Sequence, residues 1–302
     1  IGLCHLRYLR FDKVKLVVAN RVSFQHRASH ATSVTDMEIT RPTDLAGVLV
    51  ALDSAPDALL LAGGTDSMVL VNAGLLNPDD VISLRAVEEL KTWSDDFIGS
   101  AVTYARLETS DIAALAELSR TVGSPQIRAA GTIGGNLGTA SPAGDALPFI
   151  AAVDASIELT SKAGSRTLRW DEFLTGPKQN ALLPGEVILG VRLPAEMPFR
   201  TAFAKIGVRQ AMVISIASVC VTRAASGATT VAMGAVGPTV LRARRAEEMI
   251  SSVDEPDEQA LTGFQRLVSE EAQPITDHRS TEEYRRMAVG VLARRALERC
   301  LI

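Results

Sequence analysis

The chain has 302 residues, of which 47% are hydrophobic and 22% charged, a composition typical of a globular protein with two or three domains. A net charge of -4 and an aromatic content of only 4% argue against a nucleic-acid-binding surface. No apolar run approaches the roughly 20 residues of a membrane-spanning helix, so the sequence predicts a soluble, cytoplasmic protein without a membrane span.

Residues 1–36 differ in composition from the rest of the chain. They are rich in arginine and serine, contain only Asp12 and Asp36 as acidic residues, and hold three of the four histidines. This composition suits a transit peptide or an irregular, non-native extension, and we expect the folded unit to begin at Met37. The histidines lack ligand spacing and the cysteines at positions 4, 220 and 300 form no CxxC pair, so we expect no metal site.

From Met37 onward, short apolar runs alternate with helical patterns. The predicted elements are a strand at 38–40, a helix capped at 43–44 and running to 52, a strand within 58–62, a helix at 67–73, a strand at 81–84 and one continuous helix at 106–122. A glycine-rich turn at 130–145 then leads into a helix at 148–155.

Beyond residue 155 the pattern favours strands. The predicted strands are a hairpin at 156–170, a strand at 186–193, and three strands within 203–209, 214–223 and 229–237, the last two joined by a turn at 226–227. Prolines interrupt the pattern near 195–200, where we expect a domain boundary. Three helices close the chain, and the last is predicted to start at a capping box with Ser280 and to end near Arg299. We expect the arginines of this last helix to form either a face that docks a partner chain or a solvated face.

Two glycine-rich stretches, both without lysine, carry the candidate site. They are the first glycine loop, AGGTDS at 62–67, and the second glycine segment, TIGGN at 132–136. Neither fits the GxGxxG or the GxxxxGK[ST] fingerprint. Backbone amides can still hold a diphosphate, because each N–H bond to a charged oxygen contributes about 1.5–3 kcal/mol. Thr65, Thr132 and Asn136 would add side-chain donors.

Asp145 follows the second glycine segment and adds a different chemistry. A carboxylate repels phosphate, so we expect Asp145 to accept hydrogen bonds from ribose or ribityl hydroxyls. Together these features favour a ligand with both phosphate and polyol parts. The alternative is that both glycine stretches are tight turns that bind no ligand.

The order and spacing of these motifs resemble a known family. AGGTD at 62–66, TIGGNLGTASPAGDALP at 132–148, FLTGPKQNALLPGEVILGVRLP and FAKIGVRQAMVISIASV are similar to motifs in the FAD-binding medium subunits of molybdenum hydroxylases, of the xanthine dehydrogenase and aerobic carbon monoxide dehydrogenase type. The resemblance runs from Met37 to the C-terminus. It implies that the following residues bind the cofactor: Ala62, Gly63, Gly64, Thr65, Asp66, Ser67, Thr132, Ile133, Gly134, Gly135, Asn136, Asp145, Ile188 and Lys205.

The resemblance also implies the fold and the mode of cofactor binding. It predicts an α+β chain with an FAD-binding domain of the vanillyl-alcohol-oxidase type at 37–197, in subdomains 37–92 and 93–197, and a small α+β domain at 198–302. Ile188 would pack near the flavin or belong to the strand core, and Lys205 would approach the isoalloxazine side. Ser67 departs from the family pattern, which commonly has an apolar residue directly after AGGTD. No histidine or cysteine lies beside the glycine motifs, so FAD is expected to bind non-covalently.

In function, the resemblance implies an electron-transfer oxidoreductase subunit with no catalytic residue of its own. It would take electrons from the 2Fe–2S clusters of a small partner chain, with the molybdenum cofactor on a large partner chain, in a dimer of heterotrimers. The cysteine-rich loop that holds a 4Fe–4S cluster in some relatives is missing. The alternatives are a non-enzymatic flavin carrier or assembly factor with the same fold and, less favoured, a stand-alone flavin oxidase.

Overall fold

The computed structural model of the chain describes residues 37–198 and 200–302, and it confirms the predicted α+β fold class. The predictions made for residues 1–36, including Cys4 and the N-terminal histidines, lie outside the described residues.

The first region is a small parallel sheet with the strand order β1-β3-β2. Its elements are β1 Glu38–Thr40, α1 Leu45–Ser54, β2 Leu59–Leu61, α2 Ser67–Asn72 and β3 Asp80–Ser83. The predicted cap of α1 is confirmed, because the Asp44 carboxylate accepts a hydrogen bond from the Gly47 amide at 2.7 Å. The chain leaves the carboxyl end of β2 directly into the first glycine loop.

A four-stranded antiparallel sheet, in the order β4-β9-β5-β6, forms the second region. Its strands, with the short hairpin and helix between them, are β4 Phe97–Gly99, β5 Ser156–Ser161, β6 Gly164–Arg169, α8 Trp170–Phe173, β7 Leu174–Gly176, β8 Gln179–Asn180 and β9 Val187–Arg192. A 3₁₀ turn, Glu88–Lys91, joins this region to the first sheet. The predicted hairpin of β5 and β6 is confirmed.

Between β4 and β5 the chain forms five short helices. They are α3 Tyr104–Leu107, α4 Ala113–Thr121, α5 Pro125–Ala130, α6 Ile133–Thr139 and α7 Ala146–Ala152. The single helix predicted at 106–122 is wrong, because the Ser110 hydroxyl accepts from the Ile112 amide and competes with helical bonding. The turn predicted at 130–145 is also wrong in part, because the second glycine segment forms the start of α6, capped by Thr132.

The last region is a four-stranded antiparallel sheet covered by three helices. Its elements are β10 Arg200–Ile206, β11 Ala217–Arg223, β12 Thr229–Gly234, β13 Leu241–Arg242, α9 Arg244–Ser251, α10 Glu258–Glu271 and α11 Glu282–Leu301. Gly227, with φ of +86°, forms the predicted turn between β11 and β12. Helix α11 begins one residue later than predicted, because the Thr281 hydroxyl, not that of Ser280, accepts from the Tyr284 amide.

The last sheet is buried on both faces. One of these two contacts holds the sheet against the second region. Every residue of β11 is buried. Because side chains alternate along a strand, Cys220 joins the core that contains Phe149 of α7, whereas Val219 and Val221 join the core that contains Phe264 of α10. The packing of α7 on this sheet brings the start of α7 close to β10, which is where the candidate site is completed.

The arginines of α11 bond mainly within the chain. Arg285 is only 3% exposed and donates to the carbonyl oxygens of Ile216 at 3.0 Å and Ala235 at 2.8 Å, and to the Asp277 carboxylate at 2.6 Å. Further along α11, Arg294 pairs with two glutamates and Arg299 with Glu117, so these side chains hold helices together rather than form a separate basic face.

Replacement of Arg285 by methionine is expected to lower the free energy of unfolding by about 3 kcal/mol, because the ion pair of the buried guanidinium with Asp277 is lost and two carbonyls lose their donor. Urea denaturation followed by circular dichroism measures this loss. The matched control is Arg286→Met, since that side chain is 40% exposed and reaches Glu282 only at 3.8 Å; a change within about 0.5 kcal/mol is expected there. Equal losses in the two variants would contradict the buried role of Arg285.

Candidate functional site

The structure brings the two glycine stretches into direct contact. A Cβ atom placed on Gly63 would lie 1.9 Å from the carbonyl oxygen of Ala130 and 3.0 Å from the amide nitrogen of Gly131. Only glycine allows two backbones to approach this closely. Gly64 adopts a φ of +71°, which also favours glycine. The first glycine loop therefore packs on the peptide that leads into the second glycine segment.

Side chains extend this contact on both sides. The Thr139 hydroxyl of α6 donates to the Asp66 carboxylate at 3.0 Å. The Thr65 hydroxyl oxygen lies 3.5 Å from the Cβ position of Gly131. The two stretches thus lie against each other, although almost 70 residues of chain separate them.

The backbone amides of the two stretches differ in their bonding. Within the described residues, the amides of 63–66 donate to no protein acceptor. In the second glycine segment every amide from 133 to 136 is bonded: Ile133 to Val102 O, Gly134 to Ser100 O, Gly135 to Thr132 Oγ1 and Asn136 to Thr132 O. The expectation that both stretches present free amides therefore holds only for the first.

The glycines of the second segment have separate roles. A Cβ on Gly134 would lie 2.4 Å from the Cβ of Ser100, so Gly134 allows α6 to pack on the chain that follows β4. Gly135 is exposed, and a Cβ there would meet only the Thr132 hydroxyl at 3.2 Å. Ile133 is buried beneath them. Gly135 therefore leaves the outer face of α6 open to a ligand.

Asn136 presents a polar atom that the described residues leave unsatisfied. Its Oδ1 is buried and has no hydrogen-bond partner among them. The same atom lies 2.8 Å from the Cβ position of Gly144, so a larger residue at 144 would displace it. Buried polar atoms in folded proteins are usually bonded, and an exception indicates a missing partner.

Asp145, predicted to face ligand hydroxyls, lies in a buried polar cluster. Its carboxylate accepts from the Lys205 ammonium at 2.6 Å and from the Ser215 hydroxyl at 2.6 Å. Burial raises the pKa of Asp145, while Lys205 and Ser215 oppose this rise. The residues come from three places: the residue before α7, the strand β10 and the residues before β11.

Two predicted site residues have structural partners of their own. The Lys205 ammonium also donates to the carbonyl oxygens of Thr121 at 3.0 Å and Val213 at 3.3 Å, so its three protons have acceptors within the chain. Ile188 is buried in β9 opposite Leu159, which is the strand-core position that the sequence left open as one reading. The structure thus gives Lys205 a protein partner rather than an open direction toward a flavin ring.

Ser215 and Tyr104 border the site but were not predicted from the sequence. Ser215 is fully buried and reaches Asp145 across 70 residues of chain, so no local spacing marks it. Tyr104 follows β4 and contacts the backbone at Gly131. Neither lies in a glycine motif, and only the folded contacts reveal them.

Within residues 37–198 and 200–302, no group of three or more histidine, cysteine or acidic side chains is placed to hold a metal ion. In the same residues no helix has the length and apolar content needed to cross a bilayer. Cys220 and Cys300 are free and buried.

Comparisons with known proteins agree with this arrangement. Residues 35–196 match the family model for the FAD binding domain in molybdopterin dehydrogenase, and residues 202–300 match that for the CO dehydrogenase flavoprotein C-terminal domain. The chain is 32% identical over 242 residues to the nicotinate dehydrogenase FAD-subunit of Eubacterium barkeri. The aligned region covers 71% of this chain and 79% of that protein.

Two further relatives cover more of the chain. It is 29% identical over 276 residues to the carbon monoxide dehydrogenase medium chain of Afipia carboxidovorans, covering 86% of this chain and 94% of that one. A chain in the crystal structure of quinoline 2-oxidoreductase from Pseudomonas putida 86 is similar with a TM-score of 0.80 at 25% identity, covering 88% and 97%. The chain therefore belongs to the family of FAD-binding medium subunits of molybdenum hydroxylases, which are oxidoreductase subunits.

Proposed function

We propose that this chain is the FAD-binding electron-transfer subunit of a multi-subunit molybdenum hydroxylase. It takes electrons from the 2Fe–2S clusters of a small partner chain and passes them from FAD to an external acceptor. The large partner chain carries the molybdenum cofactor and hydroxylates the substrate, and the complex is a dimer of heterotrimers. A cytoplasmic location fits the free thiols of Cys220 and Cys300.

The observation that carries this proposal is the contact between the two glycine stretches. It supports a single cleft in which the amides of 63–66 are available as donors. Bonds from such amides to charged oxygens contribute about 1.5–3 kcal/mol each, so a diphosphate can be held without lysine. The open face at Gly135 and the unsatisfied Oδ1 of Asn136 fit the same ligand.

Each site residue has a role in this proposal. The first glycine loop, from Ala62 to Ser67, holds the diphosphate through its amides, and Thr65 adds a hydroxyl. In the second glycine segment, Thr132 keeps its hydroxyl proton for a ligand oxygen while its oxygen caps α6. Asp145 accepts from polyol hydroxyls, and Lys205 acts mainly as its counter-ion. Ile188 supports α6 from the strand core.

When bound, FAD supplies the redox chemistry, because it can accept and release electrons that no side chain here can carry. The chain itself binds and orients the cofactor, and we assign it no catalytic residue. Domain bounds of 37–92 and 93–197 for the two FAD subdomains, with 198–302 as the C-terminal domain, are part of the proposal. Three hydrophobic clusters, each drawn mainly from one of these ranges, support this division, and Phe203 and Cys220 of the C-terminal sheet pack into the cluster of 93–197.

Purification of the full chain from its native cells, through an affinity tag, tests the proposal. We expect co-purification with a molybdenum-containing chain and a 2Fe–2S chain, and one FAD per copy of this chain that acid precipitation releases into solution. Chromatography identifies the flavin and metal analysis identifies the partners. A chain that carries FMN, binds no flavin after refolding with FAD, or retains FAD but never associates with a molybdenum chain would contradict the proposal.

Gly135→Val is expected to abolish retention of FAD with little loss of fold, because the new side chain fills the open face of α6 and meets only the Thr132 hydroxyl. Flavin absorbance per protein after gel filtration measures retention. The matched control is Gly263→Val in α10, where the nearest side-chain atom, from Met249, is 3.6 Å away. This control makes the same substitution inside a helix, where glycine and valine differ in helix propensity by less than about 1 kcal/mol, and it should keep full flavin. Stoichiometric flavin in the Gly135 variant would contradict the proposed cleft.

Lys205→Met is expected to destabilise the apoprotein by about 3 kcal/mol at pH 7.5, and by less at pH 5. Without the ammonium, burial raises the pKa of Asp145 further above its unfolded value. A carboxyl group whose pKa is raised by folding stabilises the fold only while it is protonated, so stability falls as the pH rises through that pKa. At pH 5 the carboxyl group takes up a proton, and part of the loss is recovered.

Urea denaturation at the two pH values measures this dependence. The control is Lys162→Met, because Lys162 pairs with Asp53 on the surface, with side chains 63% and 54% exposed. That variant should change stability by no more than about 1 kcal/mol at either pH. A loss in Lys205→Met that is the same at both pH values would show that Asp145 is not held ionised by Lys205.

A further inference from the structure

Tyr104 lies at the junction of the two glycine stretches. It is the first residue of α3, and its amide donates to the carbonyl oxygen of Gly131 at 3.0 Å. Its ring atom Cδ2 lies 3.5 Å from the Cβ position of Gly131, and the preceding Thr103 pairs with Thr132 across an isolated bridge. The ring therefore lies against Gly131, whose amide nitrogen also lies close to Gly63.

The hydroxyl of Tyr104 is buried without a bond. The residue is 3% exposed, and its oxygen has no hydrogen-bond partner among residues 37–198 and 200–302. A buried tyrosine usually bonds its hydroxyl, because an unsatisfied polar group in the interior carries a free-energy cost. Phenylalanine would supply the same apolar contacts without this cost, so packing alone does not account for the hydroxyl.

The surroundings of the hydroxyl keep it protonated. Burial, followed by the carboxylates of Asp145 and Asp66, raises the pKa of Tyr104 well above its ordinary value. Tyr104 therefore remains neutral and keeps its proton to donate. Asp66 belongs to the first glycine loop and Asp145 precedes α7, so the hydroxyl lies within electrostatic reach of both sides of the cleft.

We propose that Tyr104 is an additional ligand-binding residue, whose phenol O–H donates a hydrogen bond to an acceptor oxygen of the bound flavin dinucleotide. The inference rests on the proposed FAD cleft and adds a residue from outside the glycine motifs. Tyr104 binds and positions the cofactor and takes no part in electron transfer. The bound dinucleotide supplies the acceptor that the described protein residues do not.

The variant Tyr104→Phe tests this, because it removes one oxygen and leaves the ring. We expect the Kd of the apoprotein for FAD, measured by quenching of flavin fluorescence, to rise about tenfold, which corresponds to about 1.4 kcal/mol. The thermal midpoint of the apoprotein should stay unchanged or rise, since an unsatisfied hydroxyl has been removed. The control is Tyr284→Phe, because Tyr284 is 39% exposed on α11 and should leave both quantities unchanged.

Parallel titrations with ADP locate the acceptor. Weaker binding of both ADP and FAD to Tyr104→Phe supports an acceptor in the diphosphate or adenosine half, and weaker binding of FAD alone supports one in the flavin half. Unchanged FAD affinity, or a drop in the apoprotein thermal midpoint that accompanies the weaker binding, would overturn the inference. If the unaltered chain binds no FAD, the proposed function itself fails, which is a distinguishable result.

Discussion

The contact of Gly63 with the peptide between Ala130 and Gly131 determines where the candidate site lies. Because no side chain separates the two backbones, the loop after β2 meets the peptide that leads into α6, and Asp66 of that loop accepts from Thr139 of the helix. A larger residue at 63 would have to move backbone rather than a flexible side chain. The position of the candidate site therefore follows from the absence of a side chain at Gly63, and the remaining residues determine the chemistry of the site.

The last region of the chain completes the site from a distance. The sheet that contains β10 and β11 is buried on both faces, and its packing on α7 places Lys205 and Ser215 on Asp145. A carboxylate buried this deeply is costly unless it is paired, so the C-terminal domain contributes directly to the ionisation of a residue in the FAD-binding domain.

The sequence predicts most of the strands and several helices, and the resemblance to the FAD-binding subunits implies the fold class, which the structure confirms. It fails where a local bond overrides the pattern, as when Ser110 interrupts the helix predicted at 106–122. In the site, the glycine motifs mark the residues of both stretches. They do not reveal that the amides at the start of α6 donate to Ser100 and Val102, nor that Tyr104 contacts Gly131 and Ser215 contacts Asp145, because these contacts join distant parts of the chain.

Hydrogen–deuterium exchange of the full chain, with and without FAD, tests the central claim most directly. The account predicts that FAD slows exchange in the first glycine loop, whose amides donate to no acceptor among the described residues. The second glycine segment should exchange slowly even without FAD, since its amides are already bonded within the chain. Binding of FAD that leaves the exchange of the first glycine loop unchanged would contradict the account.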